Sequence, residues 1–157
     1  MTVATSAEQL WFLDTLVTVR ASHSEGRDGI SVLERLAPHG ESPPLHVHET
    51  EDEIFFVLEG ELRVVAGDAD IRIGAGETIL GPQGVPHTYR VESPEGARWL
   101  VITSGGNFEG FVRAVSRPAE ASELPAPQGP HTPDQADELA AAARKHAIEF
   151  VGPPLDS

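Results

Sequence analysis

The sequence predicts an all-β domain, a barrel or sandwich of short strands, followed by a short helical appendage. Three observations lead there. Up to residue 103 the apolar residues fall in short runs separated by glycine- and proline-containing turns. No segment in that stretch carries a helical period. After Gly105-Gly106 the period changes to that of a helix. A length of 157 residues suits one domain with a real core. The expected division is an N-terminal arm (1–9), a β-barrel (10–105) and a C-terminal helical extension with a short final strand (106–157).

The elements follow in order. LWFLDTLVTVR (10–20) alternates, with Trp11, Leu13, Val17 and Val19 on one face, and reads as one strand. SHSEGRDG (22–29) is a polar turn, and ISVLERLA (30–37) is the next strand. PHGESPP (38–44) is a loop, because three prolines break any ladder. LHVH (45–48) starts a strand, and EIFFVLEG (53–60) is the strongest, with aromatic and branched residues throughout. ELRVVA (61–66), a Gly67-Asp68 turn and DIRIG (70–74) form a hairpin. TIL (78–80), HTYRVES (87–93) and ARWLVIT (97–103) complete the β set. Phe108, Phe111, Val112 and Val115 then mark one face of a helix, closed by Arg117-Pro118. Residues 118–133 are rich in proline and alanine and read as surface chain. Thr132 caps a second helix, with Pro133 at its first position and Gln135 at capping-box spacing. IEFV (148–151) ends the set as a short strand.

Composition removes several classes of function. The net charge is −14, from 25 acidic and 11 basic side chains, which argues against a nucleic-acid partner. There is no cysteine, so disulfides, thiolate zinc sites and iron–sulfur clusters are excluded. MTVATSAEQL has no basic stretch leading into an apolar run, and no segment approaches the roughly 18 apolar residues of a membrane helix. The expectation is a cytoplasmic protein without a membrane partner. One apolar outer face on a small barrel predicts a homodimer.

HVHETEDE (46–53) carries the chemistry. On a strand, positions i and i+2 share a face, so His46 and His48 present two imidazoles together. Glu53 opens the next strand, and a hairpin returns its carboxylate beside them. Glu49, Glu51 and Asp52 read as solvated turn residues, and His23, His39, His131 and His146 as surface residues. Parity with Glu53 points Phe55 and Val57 inward, and parity with His87 does the same for Tyr89. Ile54, Phe56 and Leu58 face the other way.

Gly40, five residues, His46, one residue, His48, four residues, Glu53, six residues and Gly60 together resemble the first motif of the cupin superfamily. Gly76, five residues, Pro82, one residue, Gly84, two residues and His87 resemble the second, except that Val91 stands where that motif ends in asparagine. The resemblance implies a cupin-type jelly-roll β-barrel and four metal ligands, His46, His48, Glu53 and His87. The turn Gly84-Val85-Pro86 agrees with it by delivering His87 opposite the first pair. Three imidazoles and one carboxylate suit one divalent transition metal, with Fe, Mn, Ni, Co, Cu and Zn all open.

The wider pattern, from WFLDTLVTV through TSGGNFEGFVRAV to IEFVGPP, is similar to the small single-domain cupins that resemble quercetin 2,3-dioxygenase. It implies a dioxygenase that opens a hydroxylated aromatic or flavonol ring, taking a small aromatic substrate and O2. Glu53 would serve as ligand and base, with Phe55 and Tyr89 stacking the substrate. The alternatives are a non-oxidative cyclase, isomerase or decarboxylase of secondary metabolism, and a ligand-binding cupin without turnover.

Overall fold

The computed structural model describes residues 8–156. Residues 1–7, most of the expected N-terminal arm, lie outside the described residues, as does residue 157. Ten strands come first: β1 (Gln9–Phe12), β2 (Thr15–Ala21), β3 (Ile30–Ala37), β4 (Leu45–His48), β5 (Glu53–Glu59), β6 (Glu61–Ala66), β7 (Ala69–Gly74), β8 (Thr78–Gly81), β9 (His87–Val91) and β10 (Ala97–Ser104). Then follow α1 (Asn107–Val115), β11 (Arg117–Pro118), α2 (Pro133–Lys145) and β12 (Ile148–Gly152).

The strands make two antiparallel sheets in a jelly-roll arrangement. One runs β11-β1-β2-β3-β10-β5-β8, the other β12-β4-β9-β6-β7. Period-2 alternation puts Leu33, Val57, Leu62, Val91, Trp99 and Val101 into the common core, each no more than 1% exposed. Burying such side chains contributes about 1.5–3 kcal/mol apiece before entropy is counted. Gly60 ends β5 with a φ of +85°, and a Cβ there would meet the Gly96 carbonyl oxygen at 2.5 Å. Only glycine meets both demands, which gives the last residue of the first motif its physical reason.

The segment read as one strand over 10–20 is a hairpin. Leu13 turns into the left-handed region at φ 56°, and the Thr15 hydroxyl donates to the Phe12 carbonyl at 2.7 Å. The face is corrected with it. Leu10 and Phe12 are buried, while Trp11 lies outside, under the Arg117 guanidinium at 4.6 Å. Alternation was present, but a turn inside the run shifted its phase, and a non-glycine turn residue leaves no sequence mark.

The two helices and the last strand form where the sequence places them. Thr132 and Gln135 make the reciprocal capping box, with bonds of 3.2 and 2.9 Å. Beyond α2, Ala147 adopts a φ of 56° and turns the chain back. β12 then pairs with β4, Ile148 opposite His48 and Phe150 opposite His46. The C-terminal extension is thus built into the wall of the sheet that carries three candidate ligands, His46, His48 and His87. Among the described residues, no helix is long and apolar enough to cross a membrane.

Candidate metal centre

Adjacent antiparallel strands assemble the site. His46 and His48 share the inner face of β4, and His46 sits opposite His87 on β9. One potential ligand atom from each of His46, His48 and His87 lies within 4.8 Å of the others, and all three residues are buried. Glu53, 4% exposed at the start of β5, joins two of them. Its Oε2 stands 2.7 Å from His48 Nε2 and 3.8 Å from His87 Nε2.

The donor set fits a metal ion. His48 Nε2, His87 Nε2 and Glu53 Oε2 are buried, and none has an aligned hydrogen-bond partner in spite of the short distances. Buried polar atoms are rarely left so. The outer nitrogens are fixed instead. His46 Nδ1 donates to the Pro44 carbonyl at 2.7 Å, and His87 Nδ1 to the Val85 carbonyl at 3.2 Å. A carbonyl can only accept, so each Nδ1 carries the hydrogen and each Nε2 keeps its lone pair for an ion.

Electrostatics favour the metal-binding protonation states of His46 and Glu53. Burial and the neighbouring His87 and His48 push His46 down to about 3, so it is neutral at physiological pH. Burial alone would raise Glu53, but His48 and His87 outweigh it and hold the carboxyl well below its ordinary 4.5. Burial lowers His87, yet the nearby Glu53 carboxylate raises it above 6.5 on balance.

Two residues read as solvated turn positions have structural tasks. Glu51 is 2% exposed, and its carboxylate accepts the backbone N–H groups of Asn107 and Phe108 at the start of α1. Gly106, the residue before that helix, offers no side-chain cap, so Glu51 supplies one from a distant loop. It thereby places the Phe108 ring edge-on to His48 at 5.5 Å. Asp52 accepts the Gln83 N–H at 2.8 Å and fixes the turn that leads to His87.

A cavity of about 430 Å³ opens beside the cluster. His46, His48 and Glu53 form part of its lining, and Phe12, Phe108, Phe111, Phe150, Ile148 and Tyr89 supply apolar walls. Tyr89 thus reaches the cavity. Phe55, expected on the same wall, does not. It lines a void of about 10 Å³ on the far side of Glu53 and meets Tyr89 edge-on at 5.7 Å. Strand parity fixes the face of a side chain but not its depth. His131 is exposed at the cavity rim, and His39 is exposed and away from it. The sequence reading missed Phe12, Phe108, Phe111 and Phe150 as walls. The period of the first helix had marked Phe108 and Phe111 as one face, without saying what that face meets.

Residues 32–103 match the Cupin domain family. Quercetin 2,3-dioxygenase of Bacillus subtilis (strain 168) is 27% identical over 118 residues, which cover 75% of this chain and 35% of that protein. The chain therefore spans about a third of the length of this curated relative. Among solved structures, the polyketide cyclase RemF from Streptomyces resistomycificus superposes with a TM-score of 0.58 at 23% identity, over 80% of this chain and 90% of that one. A predicted oxalate decarboxylase from Thermotoga maritima gives 0.53 at 22%, over 66% and 98%. The ligand-bearing strands β4, β5 and β9 all lie inside the segment that matches the Cupin domain family, so the match covers all four candidate ligands.

Proposed function

We propose that the protein is a metal-dependent dioxygenase acting on a hydroxylated aromatic, of which a flavonol is the first candidate. The observation that carries this reading is the union of a buried three-histidine, one-carboxylate cluster with an aromatic-walled cavity of about 430 Å³. That volume falls within the roughly 300–1,000 Å³ of small-molecule sites. The similarity to quercetin 2,3-dioxygenase supports the choice of substrate class.

His46, His48, His87 and Glu53 would hold one divalent ion. When bound, it supplies Lewis acidity and open positions for oxygen donors. The chain's own residues do the rest. Glu53, held ionised, accepts the proton of a substrate hydroxyl at Oε2 and leaves the ring electron-rich. Phe108, Phe111 and Phe150 cover the reacting region and exclude water. Tyr89 flanks the bound ring, and Phe55 backs Tyr89.

The protein is further proposed to work as a homodimer. Val32, Ile102, Ile54 and Leu80 are directly paired across β3, β10, β5 and β8 and form one apolar row on the outer face. Ile54 and Leu80 are 37% and 51% exposed. A second copy would cover that row.

An oxygen electrode tests the reaction. Protein loaded in turn with Fe, Mn, Ni, Co or Cu is mixed with quercetin and related flavonols. Prompt O2 uptake with ring-cleaved product is expected for at least one metal. Turnover of an aromatic substrate without O2 uptake would transfer the reading to a non-oxidative cyclase, isomerase or decarboxylase. Binding without product would make the protein a ligand-binding cupin.

A further inference from the structure

The cavity contains a second polar group that the metal cluster does not use. Arg35 on β3, Glu41 in the loop after it and Tyr89 on β9 all contribute to the lining. Arg35 is only 5% exposed. Its guanidinium carbon lies 5.2 Å from the ring centres of Phe12 and Trp99 and 5.6 Å from that of Tyr89. A cation enclosed by aromatic rings is favourable only if its N–H groups are also satisfied. They are not fully satisfied. Nη2 reaches the Thr15 hydroxyl at 3.4 Å and Glu41 Oε1 at a loose 3.9 Å.

Three buried atoms here have no hydrogen-bond partner: Arg35 Nε, Glu41 Oε2 and the Tyr89 hydroxyl. Tyr89 is near enough to Glu41 to bias its protonation, but no aligned bond closes between them. The frame around them is fixed. The Glu41 carbonyl accepts the Val91 N–H at 3.0 Å, and the Gly40 N–H donates to the Val91 carbonyl at 2.9 Å. A donor, an acceptor and a hydroxyl, all buried and all on residues that line one cavity, lack a partner.

The chemistry of that partner can be narrowed. A carboxylate would suit Arg35 but would oppose Glu41. An ammonium would suit Glu41 but would oppose Arg35. A hydroxyl suits both, because it donates and accepts at once. We propose that Arg35, Glu41 and Tyr89 form a hydroxyl-recognition subsite for the molecule whose other oxygen lies at the histidine cluster. The ligand hydroxyl donates to Glu41 Oε2 and accepts from Arg35 Nε, with Tyr89 completing the contact. Tyr89 is two residues beyond His87 on β9, an offset of about 7 Å along the strand, which sets the two contacts apart along the cavity. Adjacent hydroxyls on a single ring do not span that distance, whereas a multi-ring polyhydroxylated aromatic does. This assignment rests on the aromatic-substrate reading above and adds to it a preference for a second, remote hydroxyl.

Two probes separate the contributions. 3-Hydroxyflavone has one hydroxyl, and quercetin has further hydroxyls on other rings. Each is titrated calorimetrically into metal-loaded wild type, Glu41→Ala and Tyr89→Phe. Wild type is expected to prefer quercetin, and each variant to lose roughly 10-fold in quercetin affinity, which narrows its preference over 3-hydroxyflavone. Tyr89→Phe removes one oxygen atom and serves if Glu41→Ala does not fold. Variants that weaken both probes alike, or that leave the quercetin preference intact, would overturn the subsite and point to a structural or water-filled cluster. O2 uptake without any hydroxyl preference would overturn the subsite alone. Failure of wild type to bind either flavonol would overturn it together with the flavonol reading.

Discussion

His46 and His87 stand directly opposite each other across β4 and β9, with their imidazole rings 4.5 Å apart. The strand register sets this spacing, and the ladder is held by backbone bonds, so single ligands can be removed without unravelling the sheet. His48→Ala is expected to lower metal affinity by at least roughly 100-fold, since even the loss of outer partners costs 10–100-fold. Its far-ultraviolet circular dichroism should match wild type. Full occupancy by elemental analysis would remove His48 from the ligand set.

Metal binding should release a proton near neutral pH. His46, at about 3, is already neutral there. His87, lowered by burial but raised above 6.5 by the neighbouring Glu53, must lose its proton to bind. Affinity should therefore rise with pH, then flatten once the medium passes the His87 pKa. Calorimetry in buffers of different ionisation enthalpy measures the release directly. An affinity that is flat between about pH 6 and 8 would contradict the assignment.

Glu53→Gln keeps the shape of the side chain and removes its basicity. Some metal should remain bound through the three histidines, while turnover falls by about 10²–10⁴. An unchanged rate in the metal-replete variant would dismiss Glu53 as the base.

Glu109 on α1 predicts an acid-sensitive contribution to stability. Its carboxylate accepts from the Ser22 hydroxyl at 2.7 Å, the His23 N–H at 2.9 Å and Arg113 Nε at 3.0 Å. Burial raises its pKa, but these partners win and hold it below 4.5. A carboxyl lowered on folding contributes fully above the unfolded pKa, and the contribution is lost as pH falls from about 4.5 through the folded value. Glu109→Ala should cost about 2–3 kcal/mol at neutral pH, or roughly 5–10 °C in Tm. The gap to wild type should close in acid, which thermal melts across a pH series would show.

Ile54→Glu places a charge in the outer apolar row beside Ile102 and Leu80. The variant is expected to elute as a monomer with unchanged metal content. A wild-type protein that is monomeric by light scattering would end the dimer proposal.

Much of this site was legible in the sequence, for identifiable reasons. Strand parity is a local rule, so the spacing of His46 and His48 fixed a common face. The Gly84-Val85-Pro86 turn brought His87 across to them. The task of Glu51 was hidden because its partner, the start of α1, is remote in sequence and is named by no local pattern. Arg35 was hidden for a different reason. In ISVLERLA it occupies an inward position, but alternation cannot tell a buried cation from a strand residue of opposite phase. The Leu13 turn left no trace, because glycine, asparagine or aspartate would ordinarily mark a positive φ. Cavity walls drawn from β1, α1 and β12 depend on long-range docking, which periodicity does not encode.

The pairing of β12 with β4 also bears on biosynthesis. The strand that presents His46 and His48 is made well before its neighbour on one side. Until residues 148–152 have emerged and docked, β4 has an open flank next to its imidazoles, and Phe150 cannot close the aromatic pocket. Selective ion capture therefore follows the docking of β12, and a chain halted before that point would expose the histidines to whichever cation is most abundant.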